Sequence, residues 1–332
     1  MNKFCVVTGG AGFIGSHLTE RLIADGHRVL VIDNMHTGRL SNLDGLRHDG
    51  RLDVVEAGVE DRGQMLSLFN GADWVFHLAA RADIVPSIQE PVEYHRANVE
   101  GTMSVLEAAR HAKVKRFIYA ASSSCYGVPA IYPTPETAPA EPQYPYALTK
   151  YVGEQYVLHW YQVYGLPALS LRFFNVFGLR HRTTGAYGAA FGVFLAQKLA
   201  GQPFTIVGDG NQTRDFTYVT DIADALVTAA QSDHSGRIYN VGSGGTYSVN
   251  SLIDLLGGER VHIPKRPGEP DCTFADISRI TTELGWHPKV AFADGVRQML
   301  AHIEDWRDAP VWTEDKIREA TRDWFRFLGK TS

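Results

Sequence analysis

Apolar residues in the first half of the chain fall into short unbroken runs, separated by longer stretches whose apolar positions repeat at helical spacing. Phe4–Thr8 is the first run; glycines follow, then the helical pattern Ile14, His17, Leu18, Leu22 and Ile23. Arg28 to Ile32 is the next run, ending at Asp33. Leu52–Glu56, Trp74–Leu78, Arg116–Ala120 and Ala168–Arg172 continue the series. Unbroken apolar runs suit strands covered on both faces, as in a parallel sheet. Strand–helix alternation therefore predicts an α/β fold built on a doubly wound parallel sheet. The rhythm breaks after Phe174, where Gly178–Gly188 is rich in Gly, Arg and Thr. Beyond it come a long apolar helix, a Gly208-Asp209-Gly210 turn between two β-like runs, and a Pro- and Gly-punctuated stretch around Pro264–Pro270. An amphipathic segment over Trp312–Leu328, read as one helix, ends the pattern. No repeat, charge block or long linker interrupts it. The expected organisation is a larger unit over 1–175 with parts of 214–242, and a smaller C-terminal α/β region over 176–213 and 243–332 folded against it.

Composition narrows the class. A chain of 332 residues buries a core without disulfides or metal. With 44% hydrophobic and 21% charged residues, disorder and fibre formation are excluded. The formal net charge of −5 gives no whole-chain argument for a nucleic-acid partner. Cys5, Cys125 and Cys272 are too few and too scattered for a disulfide framework or a zinc site, so no metal is expected and a reducing compartment fits. No apolar run approaches the ~20 residues of a membrane span, and Met1-Asn2-Lys3 leads straight into a strand rather than a signal peptide. The expectation is a cytoplasmic protein of enzyme size with no membrane partner.

Between the first strand and first helix, Thr8-Gly9-Gly10-Ala11-Gly12-Phe13-Ile14-Gly15 spaces Gly9, Gly12 and Gly15 as G-x-x-G-x-x-G. Gly9 permits a tight turn, Gly12 lets backbone approach a pyrophosphate, and Gly15 lets helix and strand pack closely. The helix N-terminus adds N–H donors and partial positive charge. Asp33 follows at the end of the second strand, where a carboxylate accepts from adenosine ribose hydroxyls and repels a 2′-phosphate. Asp33-Asn34 thus favours NAD over NADP, with Arg39 the dissenting neighbour. The larger unit reads as a Rossmann-type, NAD-binding domain.

Tyr146 and Lys150 stand at i and i+4, on one helix face. A nearby ammonium stabilises phenolate and makes the tyrosine a general base for an alcohol. Alone, Y-x-x-x-K is equally an amphipathic helix pair. Upstream, Ser122-Ser123-Ser124 ends a strand at the carboxyl edge of the sheet, where ligands bind in open α/β folds. Read alone, three serines are equally a polar loop bonding its own backbone.

Taken together, TGGAGFIG, Asp33-Asn34, HLAA at 77–80, NVEGT at 98–102, AASSSCYG at 120–127, YPYALTK at 144–150, RFFNVFG at 172–178, GDGNQTRDFTYV at 208–219 and YNVGSG at 239–244 resemble the extended short-chain dehydrogenase/reductases nearly end to end, most closely the nucleotide-sugar 4-epimerases. The resemblance implies Tyr146 as base and acid, Lys150 as its tuner and nicotinamide-ribose ligand, and Ser122 on the sugar O4. It places Phe13, Ile14, Val59, Leu78, Ala79, Ala80 and Asn98 with Gly9, Gly12, Gly15, Asp33 and Asn34 around NAD. On the substrate side it implies Ser123, Ser124, Asn175, Arg214 and Arg266 near the sugar and diphosphate, and Glu269 on the uridine ribose. A homodimer through helices near Val105–His111 and Leu148–Tyr161 is also implied.

Departures sharpen the reading. Relatives often carry Asp at Gly58 and Val at Cys125; the cysteine reads as a small packed hydrophobe. Dehydratases, decarboxylases and C3 or C5 epimerases of the superfamily place carboxylates or a thiol where Ser123 and Ser124 stand. Serines there leave redox chemistry at C4 alone, which implies a UDP-hexose 4-epimerase using NAD. The rivals are a UDP-glucuronate 4-epimerase, with Arg180 and Arg182 holding the carboxylate, and a catalytically silent NAD-sensing module. Thr273 matches the family's gate beside the sugar C2 substituent, and its small size implies acceptance of UDP-N-acetylglucosamine and UDP-N-acetylgalactosamine as well as UDP-glucose and UDP-galactose.

Overall fold

The structure, a computed structural model, describes residues 2–181 and 190–329. Strands β1 (Phe4–Thr8), β2 (Arg28–Asp33), β3 (Leu52–Glu56), β4 (Trp74–His77), β5 (Arg116–Ser122) and β6 (Ala168–Phe173) join a seventh, Arg237–Val241, in one sheet. Every pairing is parallel, and the order is seventh strand–β6–β5–β4–β1–β2–β3. β1 thus has β2 on one side and β4 on the other, and the strand order reverses beside it. In a doubly wound sheet that reversal opens a crevice at the carboxyl ends of the strands.

Packing explains the unbroken apolar runs. Val7, Val31, Phe76, Ile118 and Leu171 face a core on one side of the sheet, and Val6, Leu30, Val75, Phe117 and Tyr119 a second core on the other. β3 departs from the pattern: Asp53, Val54 and Glu56 are exposed, because it is the sheet edge with a partner on one side only. The helix Pro145–Tyr164 starts with proline in its first turn, whose missing N–H would be unbonded there in any case, and stops at Gly165 with φ +69. It is riveted to β6 by the buried Glu154–Arg172 ion pair, with Ser170 Oγ donating to Glu154 at 2.8 Å.

Chain beyond β6 builds the other wall of the crevice around a third core that includes Phe177, Phe191, Phe204, Phe216, Phe292 and Trp306. Short strand pairs hold it: Asn175–Phe177 with Phe216–Tyr218, Phe204–Val207 with Arg260–Ile263, and Tyr247–Ser248 antiparallel to Thr213–Arg214. The segment expected to be one terminal helix is two, Glu314–Ala320 and Arg322–Leu328, broken at Thr321. The Thr321 hydroxyl donates to Ile317 O, and threonines bonded back to their own turn bend helices. Among the described residues no helix is long and apolar enough to cross a membrane.

Candidate active site

A continuous cavity of about 640 Å³ runs between the two walls. Its floor at one end is the glycine turn. Gly9 has φ +72, and a Cβ there would lie 2.8 Å from Ala79 N; a Cβ on Gly15 would lie 2.1 Å from Gly9 O. These two glycines are required by the protein's own packing. Gly12 differs, because a Cβ there would meet only Gly9 O, at 3.1 Å. It presents bare backbone at a helix N-terminus, the surface a pyrophosphate needs. Phe13, Ile14 and Ala80 line the cavity above it. Leu78 N and Ala79 N donate to Thr8 O and Oγ1, tying the exit of β4 to the end of β1.

Asp33 is buried, and its two carboxylate oxygens accept from Ala11 N at 3.0 Å and Met35 N at 2.9 Å. Burial raises its pKa and those amides oppose the rise. Each oxygen keeps a lone pair for a ribose hydroxyl. Asn34 is exposed and accepts from His36 N, while Val59 is buried against Gly101. Asn98 is also buried: its amide accepts from Arg81 N and donates to Arg81 O and Thr149 Oγ1. It clamps the loop after β4 to the helix that carries Tyr146. A π-helical turn, Arg96–Glu100, brings it there, a feature with no signature in the sequence pattern.

Ser122 ends β5, and its Oγ lies 2.8 Å from Ser124 Oγ and accepts from Ser124 N. Ser122, Ser123, Ser124 and Tyr146 all line the cavity. Burial pushes the Tyr146 phenol up, the Ser122 hydroxyl pulls it down, and the charge of Asp83 pushes it up again. The Lys150 ammonium rests 4.2 Å from the centroid of the Tyr119 ring, and burial pushes Lys150 itself down to about 7, with Glu154 opposing. Cys125 is buried, with its thiol pushed up to about 12, as a packed hydrophobe requires.

On the opposite wall, Thr273 Oγ1 donates to Asn175 Oδ1 at 2.7 Å and accepts from Asp215 N. Arg214 Nη2 donates to Glu269 Oε1 at 2.8 Å, and Arg266 Nη1 lies 3.7 Å from Glu269 Oε2. Two guanidiniums around one carboxylate leave a net positive edge for an anion. Arg180 pairs with Glu20 on the first helix and His17 Nε2 contacts Leu179 O, so Arg180 sits on the glycine-turn side of the cleft. Arg182 lies outside the described residues. Reading by sequence missed Tyr144, Asp83 and Trp324, which also line the cavity. Only Tyr144, two residues from Tyr146, carried a local cue.

A parallel sheet with its crevice at the point of strand reversal, a glycine turn and a Ser, Tyr and Lys beside it define a member of the short-chain dehydrogenase/reductase class. The model of the NAD dependent epimerase/dehydratase family matches residues 5–242, and the chain belongs to that family, whose cofactor is NAD. A UDP-glucose 4-epimerase of Mycolicibacterium smegmatis is 36% identical over 304 residues, covering 89% of this chain and 96% of its own. A UDP-N-acetylglucosamine 4-epimerase of Methanobrevibacter ruminantium, solved in complex with UDP-N-acetylmuramic acid, superposes with TM-score 0.85 at 33% identity, over 91% of this chain and 99% of that one. A UDP-glucuronic acid 4-epimerase of Bacillus cereus, solved with UDP-glucuronic acid and NAD, gives 0.85 at 31% identity with the same coverage.

Proposed function

We propose that the protein interconverts C4 epimers of a UDP-hexose, plain or N-acetylated, through a transient 4-keto sugar. The observation that carries this reading is the end of β5, where three hydroxyls and the Tyr146 phenol meet in the cavity and Cys125 is turned into the core. Bound NAD supplies a hydride acceptor that gives back what it takes. Ser122 holds the sugar O4, and Tyr146 accepts its proton and later returns it. The Arg214–Glu269–Arg266 edge holds the diphosphate and the nucleoside ribose. Binding strength concentrated there leaves the 4-keto sugar free to turn about its diphosphate link. Asp83 on the cavity wall and the Arg180–Glu20 pair both favour a neutral sugar over a uronate, since one adds negative charge and the other occupies a cation.

Thr273 is small, and its hydroxyl is spent on Asn175, so the side chain leaves room at the sugar. The purified protein should convert UDP-N-acetylglucosamine and UDP-glucose, followed by nucleotide-sugar chromatography, and leave UDP-glucuronate unchanged. Thr273→Tyr should depress the N-acetylated reaction roughly 10–200-fold relative to the plain one. Equal slowing of both sugar pairs removes the gate assignment, and turnover of UDP-glucuronate alone replaces the hexose reading with the uronate one.

A further inference from the structure

The amphipathic segment at the end of the chain has no part in the chemistry above, yet its second helix, Arg322–Leu328, reaches the cavity through Trp324. Trp324 is 5% exposed and touches both walls. Its Nε1 donates to Pro267 O at 2.8 Å, closing the loop that carries Arg266 and Glu269. The Arg266 guanidinium lies 5.4 Å from the centroid of its ring, within the range of a cation–π contact. On its other side Trp324 meets Tyr144, with centroids 6.4 Å apart, and Tyr144 lies parallel to Tyr146, again at 6.4 Å and 9° between planes. Next to it, Asp323 accepts from Gln89 Nε2 at 2.8 Å, on a helix that follows β4. One side chain therefore stands between the two guanidiniums with their shared carboxylate and the aromatic pair that contains the phenol.

We propose that Trp324 is a positioning residue that sets the distance between the diphosphate-binding edge and Tyr146, acting through Arg266 and Tyr144; this rests on the function proposed above. The physical argument is one of tolerance. A substrate held at its diphosphate presents C4 to the phenol only if the two anchor points keep a fixed span, and a misplacement of about 1 Å costs on the order of 100-fold in rate. Arg266 has a long flexible stem, so the charge is placed by its neighbours rather than by its own backbone. The indole supplies an aromatic face for the guanidinium and a hydrogen bond that pins the loop backbone. Leucine at this position would supply neither, while phenylalanine keeps the face and loses the hydrogen bond.

The test uses the full chain loaded with NAD, in wild-type, Trp324→Leu and Trp324→Phe forms. UDP affinity is measured by calorimetry, bound NAD by absorbance after release, and kcat and KM with UDP-glucose and UDP-N-acetylglucosamine. Trp324→Leu is expected to bind UDP about tenfold more weakly and to lose at least tenfold in kcat while retaining NAD, and Trp324→Phe to recover most of the kcat. A Trp324→Leu protein with wild-type UDP affinity and kcat overturns the proposal, and so does one that loses NAD in parallel, because a general loosening of the fold would then explain the defect. A wild-type protein that does not bind UDP overturns the function proposed above, and this inference with it.

Discussion

Two side chains near the phenol carry opposite demands. Lys150 is buried as a cation against the Tyr119 ring, and its folded pKa of about 7 lies below the ordinary lysine value. Between that pH and about 10.5 the unfolded chain binds more protons than the folded one, so Lys150 costs stability that is largest below about pH 7 and fades as pH rises to 10.5. Cofactor-stripped Lys150→Met should therefore melt higher than wild type at pH 6.5, with the gap closing by pH 10.5. A gap that stays constant across thermal unfolding at those pH values would mean that packing, not charge burial, sets it. Asp83 acts on the phenol directly and pushes its pKa up. Asp83→Asn should move the acid limb of the kcat/KM profile to lower pH, because the base form is then populated earlier. An unmoved limb would separate Asp83 from the ionisation that matters.

At the scale of elements, the glycine turn separates packing from binding. Gly15→Ala forces a Cβ against Gly9 O and should cost ~1–3 kcal/mol or more in urea unfolding, with or without NAD. Gly12→Ala asks only Gly9 O to give slightly, so it should unfold near wild type yet lose NAD affinity, read by calorimetry. The sequence showed this turn, the strand and helix flanking it and the Ser and Tyr positions, because those signals are local: a strand period, glycines at fixed offsets, a Pro at a helix start. What it could not show depends on tertiary packing. The exposure of β3 follows from strand order, which no local pattern encodes. The break at Thr321 is one hydroxyl turning back on its own helix. Asn98 reads as a cofactor neighbour, and its bonds to Arg81 and Thr149, far from it in sequence, are visible only in the folded chain. The contact of Lys150 with Tyr119 joins residues 31 apart in sequence, beyond any helical spacing.

For the whole molecule, the cleft sets the glycine turn on one wall against the Arg214–Glu269–Arg266 edge on the other, where the proposed function seats the diphosphate. Glu269 is the shared hinge of that edge. Arg214→Ala leaves the Glu269 carboxylate with Arg266 beside it and one cation fewer before an incoming diphosphate, so UDP affinity should fall further than in Arg214→Ala/Glu269→Ala, where the under-compensated charge is gone even at the loss of its ribose contact. Calorimetry with UDP decides this, and equal losses in the two variants would show that Glu269 contributes no repulsion. The walls in turn depend on one irregularity, the π-helical turn at Arg96–Glu100. Along a regular α-helix Tyr94 and Thr102 would point about 80° apart, at ~100° per residue. Absorbing one extra residue in the turn reduces that angle to about 20°. Both then face inward, Tyr94 Oη to Asp83 N and Thr102 Oγ1 to His77 Nε2. Removing Val99 would thus leave the phase intact, because seven steps of a regular α-helix span the same angle of about 20°: Tyr94 and Thr102 would keep facing inward, and what would be lost is the wide turn that carries Asn98 to Arg81 and Thr149.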